Sequence, residues 1–183
     1  ARNKAFLGYS DQGNMLAALY RDGFDHVAHG PMVSDINREG GDEAIMRALD
    51  WLVSRAPSTV APQLQHGTRY AAFNLLTLSM LMGTEIEPDL SDHMVIVEEV
   101  SEYLYAFDRA FFHVASNLAA RGAAGIALGR VSAVPENDRP FGMEAEEIAE
   151  YWCAKLGLSY GGRVNVGHDA DNHIVPFGLH HAG

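Results

Sequence analysis

Cysteine is almost missing from this chain. A single thiol, Cys153, excludes an internal disulfide framework and fits a reducing compartment. It follows Trp152 inside a helical pattern, so a packed core thiol is the expected role. Cations are scarce too: 13 Lys and Arg stand against 24 Asp and Glu, a formal net charge of −11. Nucleic acids and anionic membranes are gripped by clustered Lys and Arg, so neither is an expected partner. No uninterrupted apolar stretch approaches the ~18 residues of a membrane span, and no secretory leader is visible. Internal repeats, low-complexity tracts, an H-E-x-x-H helix and a cysteine cluster are absent as well.

What remains is ordinary for a globular protein. The chain has 183 residues, 48% apolar and 20% charged, enough for one domain or one domain plus part of another. It begins with Ala and runs straight into a strand, an opening expected of part of a longer chain. Strands are predicted at 4–8, 24–28, 94–97, 124–130, 163–166 and 173–176. Helices are predicted at 14–21, 42–55, 103–121 and 144–156, where apolar residues recur at helical spacing. The apolar run 71–82, ended by Gly83, reads as a buried helix. Residues 57–62 read as a linker and 135–142 as a polar loop. Alternating strands and helices predict an α/β or mixed-sheet architecture.

Three strand ends carry chemistry-bearing residues. Gly8-Tyr9-Ser10-Asp11 follows the first strand and precedes a helix, which lifts a hydroxyl toward a helix N-terminus where negative charge is favoured. The spacing is G-x-S-x-x-G, not the G-x-S-x-G elbow, and taken alone the turn favours Ser10 or Asp11 as a plain helix cap. Glu98 and Glu99 close the strand 94–97, where a solvated carboxylate is the alternative. His168 follows Gly167 at another strand end, one of nine histidines and open to a plain surface role. Ser, His and Glu together are what a serine nucleophile, its base and an orienting carboxylate require. A metal reading competes for His168, because 168–173 holds two His and two Asp, with His180-His181 just beyond; a catalytic zinc needs at least three converging ligands.

Several stretches together resemble the LD-carboxypeptidase family of serine peptidases, which includes the microcin C immunity peptidases. Phe6-Leu7-Gly8-Tyr9-Ser10-Asp11 resembles its nucleophile turn, and His29-Gly30-Pro31-Met32 its H-G-P segment. Asn74-Leu75, with Leu81, Gly83-Thr84 and Pro88-Asp89, is similar to its N-L…L-x-G-T…P-D stretch. Ile96-Val97-Glu98-Glu99-Val100, then Tyr105 and Asp108-Arg109, resembles its glutamate strand and following helix. Val166-Gly167-His168, Asn172 and Pro176-Phe177-Gly178 resemble its ending. The order from Phe6 to Gly178 is the family's.

The resemblance implies Ser10 as nucleophile, His168 as general base and then acid, and Glu98, the first acid after the apolar strand, as the residue orienting His168. It makes the backbone N–H of Asp11 the natural first oxyanion donor and leaves Arg109 and Arg130 as candidates for a substrate carboxylate. The implied fold is the end of a flavodoxin-like N-terminal α/β domain (1–35, carrying the nucleophile), a connecting helix and linker (36–62), and a mixed α/β C-terminal domain (63–183). The family's G-G-Y-G-like stretch before the serine has no match here; Gln12-Gly13 replaces its Ile-Thr, and Ala72-Phe73 its Gly-Gly. The implied activity is a cytoplasmic, homodimeric L,D-carboxypeptidase that needs no cofactor or metal and releases D-Ala from a murein tetrapeptide during cell-wall recycling. An immunity-type peptidase cleaving a peptide–nucleotide conjugate and a non-catalytic murein-peptide binding protein are the alternatives.

Overall fold

Parallel pairing begins at once. In the computed structural model, which describes residues 3–181, β1 (Ala5–Gly8) leads through α1 (Gly13–Arg21) to β2 (His26–His29), and the two strands pair in register from Ala5–His26 to Gly8–His29. After α2 (Gly41–Ser54) come β3 (Arg69–Asn74), α3 (Leu75–Leu81), β4 (His93–Val100), α4 (Leu104–Ala120), β5 (Gly125–Ser132), α5 (Ala145–Leu156) and β6 (Ser159–Arg163). Two short strands, β7 (Val175–Pro176) and β8 (Gly178–Leu179), finish the fold. They give two mixed sheets, ordered β1-β2-β7 and β6-β5-β4-β3-β8. Strands β3 to β6 run parallel, while β7 and β8 add antiparallel edges. No helix among the described residues is long and apolar enough to cross a membrane.

The larger sheet is covered on both faces, and the period of two sorts its residues. Ala71 and Phe73, Val95 and Val97, and Ile126 and Leu128 lie in the main core with the helices. Tyr70 and Ala72, Ile96, and Ala127 pack instead under Ala61, Leu64, Val164 and Val166. Helix α4 buries Phe107, Phe111, Val114, Ala115 and Leu118, a stripe at helical spacing. Cys153 is 1% exposed in the same core, and desolvation pushes its thiol up to about 11.

The sequence expectations need four corrections. The run 71–82 is not one helix: it is strand to Asn74 and helix from Leu75. Apolar cover on both faces removes the alternation that marks a half-buried strand. The strand placed at 163–166 lies earlier, at Ser159–Arg163, where Gly161 lets the chain press against Met94 (a Cβ there would stand 2.8 Å from Sδ). The strand placed at 173–176 shrinks to β7, Val175–Pro176, and a further short strand, β8, follows it at Gly178–Leu179. The stretch 57–62 is not a free linker: Pro57–Thr59 forms a 3₁₀ turn, Val60 bridges Ile174, and Thr59 and Ala61 are buried.

Candidate active site

Three chain segments meet at His168. The first is the turn after β1. Tyr9 is extended (φ −150°), and Ser10 then takes φ +57°, a left-handed conformation that L-residues other than Gly seldom adopt. A 3₁₀ turn, Ser10–Gln12, carries the chain into α1. Gly8 leaves room for the Gln12 side chain to fold back over the turn: a Cβ there would stand 2.3 Å from Gln12 Oε1 and 3.1 Å from Gln12 Cβ. Ser10 is left half-buried and Asp11, the next residue, exposed at the helix entrance.

Tyr9 anchors this turn. Its buried phenol donates to Asp35 Oδ1 at 2.7 Å, and Asp35 Oδ2 accepts from the Met32 N–H at 2.8 Å. Burial first, and then the hydrogen bond and charge of Asp35, push the phenol well above its ordinary range. The Tyr9 ring meets the His168 ring edge-on, with centroids 4.8 Å apart.

The second segment is the end of β4. Successive strand residues point to opposite faces, so Glu98 and Glu99 separate. Glu98 is fully buried, and its Oε2 lies 2.5 Å from His168 Nδ1. Burial alone would raise the Glu98 carboxyl; the His168 hydrogen bond and the electrostatic pull of the His29 and His168 rings outweigh it and hold the group below the usual range. Glu99 faces the helices instead. Its Oε1 accepts from Asn74 Nδ2 at 2.7 Å and from the Val100 N–H at 2.9 Å, and its Oε2 accepts from the Leu76 N–H at 3.0 Å. Desolvation raises the Glu99 carboxyl despite these donors, helped by the charge of Glu98. Asn74 in turn caps α3 through the Thr77 N–H at 3.0 Å.

A β-bulge makes room for Glu98. Between the pairs Val97–Leu128 and Glu99–Val131, β4 advances two residues and β5 three, so Gly129 and Arg130 together oppose Glu98. A Cβ on Gly129 would stand 2.7 Å from Val166 Cγ2, 2.8 Å from Glu98 Cβ and 2.9 Å from Val166 O. The bulge turns the Arg130 N–H to the Val166 carbonyl at 2.8 Å, which docks the third segment, the loop carrying His168.

That loop is held from several sides. The Gly167 N–H donates to Asn172 Oδ1 at 3.2 Å. Arg47 Nη1 donates to the carbonyls of Ala170 and Asn172, each at 3.0 Å. Arg38 pairs with Asp35 at 3.0 Å, touches the Tyr9 hydroxyl at 3.3 Å and donates to the His168 carbonyl. Arg130 reaches Asp169 through Nη2 at 2.7 Å and through Nε, and also donates to Asn165 Oδ1. The His168 side chain is left 11% exposed.

The structure therefore brings Glu98, His168 and the Ser10 turn together. Arg130 adjoins them with its guanidinium committed to Asp169 and Asn165. Arg109 stands on the exposed face of α4, its Cζ 5.2 Å over the Tyr105 ring. Among the described residues no three His, Cys, Asp or Glu side chains converge as metal ligands; Asp169 is engaged by Arg130 and Asp171 by Asn165 at 3.0 Å. Tyr9, Asp35, Arg38, Arg47 and Gly129 were not expected in supporting roles. Only Gly129 left a trace, a glycine inside a predicted strand, which is a known mark of a bulge.

Residues 69–182 match the model of the LD-carboxypeptidase C-terminal domain. A protein of Synechocystis sp. that is named as a carboxypeptidase is 32% identical over 185 residues, covering 96% of this chain and 59% of that protein. Muramoyltetrapeptide carboxypeptidase from Oxalobacter formigenes superposes with a TM-score of 0.79 at 23% identity, over 98% of this chain and 66% of that one. MccF in complex with glutamyl sulfamoyl guanosine superposes at 0.75 and 15% identity, over 96% and 63%. At these identities the two superpositions speak for the fold. The chain spans less than two thirds of the length of each of these proteins.

Proposed function

The chain belongs to the LD-carboxypeptidase family, and from that premise we propose that it carries the Ser10–His168–Glu98 triad of a serine carboxypeptidase. The observation that supports this reading is the 2.5 Å contact between His168 Nδ1 and the buried Glu98, with the His168 ring against Tyr9, the residue before Ser10. Glu98 fixes the tautomer, so that Nε2 of neutral His168 is the free base. As Ser10 Oγ attacks an amide carbonyl, Nε2 takes its proton, and ionised Glu98 stabilises the resulting imidazolium. The oxyanion forms beside the Asp11 N–H and the positive end of α1. His168 then returns the proton to the leaving amine as the C–N bond breaks. Water, deprotonated by the same nitrogen, releases the acyl group and regenerates Ser10.

The substrate we assign is a murein tetrapeptide, cleaved at the bond between an L-configured centre and terminal D-Ala, in cytoplasmic cell-wall recycling by a homodimer. Arg130, held by Asp169, is assigned to bracing the His168 loop; Arg109 remains the candidate for the terminal carboxylate.

Release of D-Ala from the L,D-tetrapeptide tests the reading. Ser10→Ala should lower kcat by on the order of 10⁴-fold or more. Tight binding without turnover by the parent chain would overturn the enzyme reading in favour of a binding protein. Turnover of a peptide–nucleotide conjugate alone would keep the triad and overturn the substrate.

A further inference from the structure

Two buried groups behind the triad are left without partners. His29 ends β2 and is 1% exposed, and neither ring nitrogen has a hydrogen bond among the described residues. Glu98 Oε1, the carboxylate oxygen turned away from His168, also lacks one. The two face each other: His29 Nε2 lies 3.9 Å from Glu98 Oε1. Buried donors and acceptors are normally paired, and a carboxylate oxygen without a donor is among the costliest exceptions. A relative movement of about 1 Å brings the pair to ordinary hydrogen-bond distance.

We infer that His29 is a positioning residue of the triad, donating its Nε2–H to Glu98 Oε1 and so aiming the other oxygen at His168. This rests on the triad assigned above. His29 sits on a strand paired on both sides, opposite Gly8 and Val175, so its ring is fixed by the sheet rather than by a loop. The titratable groups that face it are Glu98 from β4, 3.9 Å away, and Tyr9, whose hydroxyl is held by Asp35 and touched by Arg38. The Tyr9 ring lies 6.0 Å from the His29 ring, and its hydroxyl is committed to Asp35. Glu98 is therefore the acceptor for Nε2. With both oxygens held, the carboxylate cannot swing away from His168 when the imidazolium forms. The second donor also moderates its basicity, which limits how strongly it pulls His168 toward the charged form.

The test compares the parent chain with His29→Leu, which removes the donor, and His29→Gln, whose amide nitrogen can occupy the place of Nε2. In His29→Leu, kcat for the L,D-tetrapeptide should fall roughly tenfold with KM within about twofold. The acidic limb of kcat/KM against pH should move to higher pH, because a less satisfied carboxylate favours the imidazolium. His29→Gln should restore both. A second readout needs no turnover: the low-field proton resonance of the His168 Nδ1–H should move further downfield in His29→Leu and return in His29→Gln. His29→Asn, whose amide stops at the Nδ1 position, should behave like His29→Leu and replaces it if the leucine variant does not fold. An unchanged resonance across all variants overturns the inference. If the parent does not hydrolyse the tetrapeptide, the substrate assignment fails while the resonance still decides the role of His29.

Discussion

Replacing Gly129 by Ala is a sharp perturbation of the site because one added methyl meets both arms of it. The new Cβ would lie 2.8 Å from Glu98 Cβ on the neighbouring strand and 2.7 and 2.9 Å from Val166 Cγ2 and O, two residues before His168. One of these is backbone oxygen and none is the far end of a flexible chain, so strand β4, the loop or the bulge itself must shift by several tenths of an ångström. Overpacking of this kind costs about 1–3 kcal/mol. At roughly 2–4 °C per kcal/mol for a chain of this size, Tm should drop by about 2–12 °C. The functional loss should exceed the stability loss, since the displaced groups are Glu98 and the support of His168. A misplacement approaching 1 Å costs up to about 100-fold in rate, so kcat should fall about 10- to 100-fold with little change in KM. Gly13→Ala is the matching control. Its Cβ would meet Phe73 Cδ1 and Thr77 Cγ2 at 3.4 Å each, in ordinary contact at the start of α1, so stability should hold or rise by up to about 1 kcal/mol. Thermal melts and D-Ala release on the two variants are the measurement. A Gly129→Ala protein that melts within about 1 °C of the parent and turns over normally would refute the reasoning.

Glu98 also predicts an acid-side stability loss. Its folded-state carboxyl is held below the ordinary value of 4.5, so its contribution is complete above that pH and drains away as pH falls through the folded-state value. Denaturant midpoints taken from about pH 6 downward should fall in the parent and fall less in Glu98→Gln; equal slopes would refute the assignment. Cys153, buried and raised to about 11, should resist alkylation near pH 8 in the folded protein and react at once in denaturant. Rapid labelling of the native chain would show that the core around α5 opens.

The parts of the site that were legible are those where chemistry dictates residue type and local geometry dictates placement. A glycine before a serine at a strand-to-helix turn, and an acid ending an apolar strand, both satisfy that condition. That Glu98 and Glu99 part is legible too, because a strand cannot aim both at the same face; the preference for Glu98 comes from the resemblance, as the first acid after the apolar strand. The 71–82 run failed for a physical reason: β3 is covered on both sides, so Ala71-Ala72-Phe73 alternates between two cores instead of between core and solvent. The break was nonetheless present in Asn74, a capping residue in the middle of an apolar run, whose side chain starts α3. No such mark attaches to Arg38 or Arg47. Each grips backbone carbonyls more than 120 positions away, and a carbonyl has no residue type to betray it. The supports of His168 therefore lie in contacts between generic partners, which the fold creates and the local sequence does not announce. His29 falls between these cases. It lies in a stretch that resembles a family motif, yet its relation to Glu98 depends on β2 and β4 being brought together from separate sheets, and only the folded chain puts the two unpartnered atoms face to face.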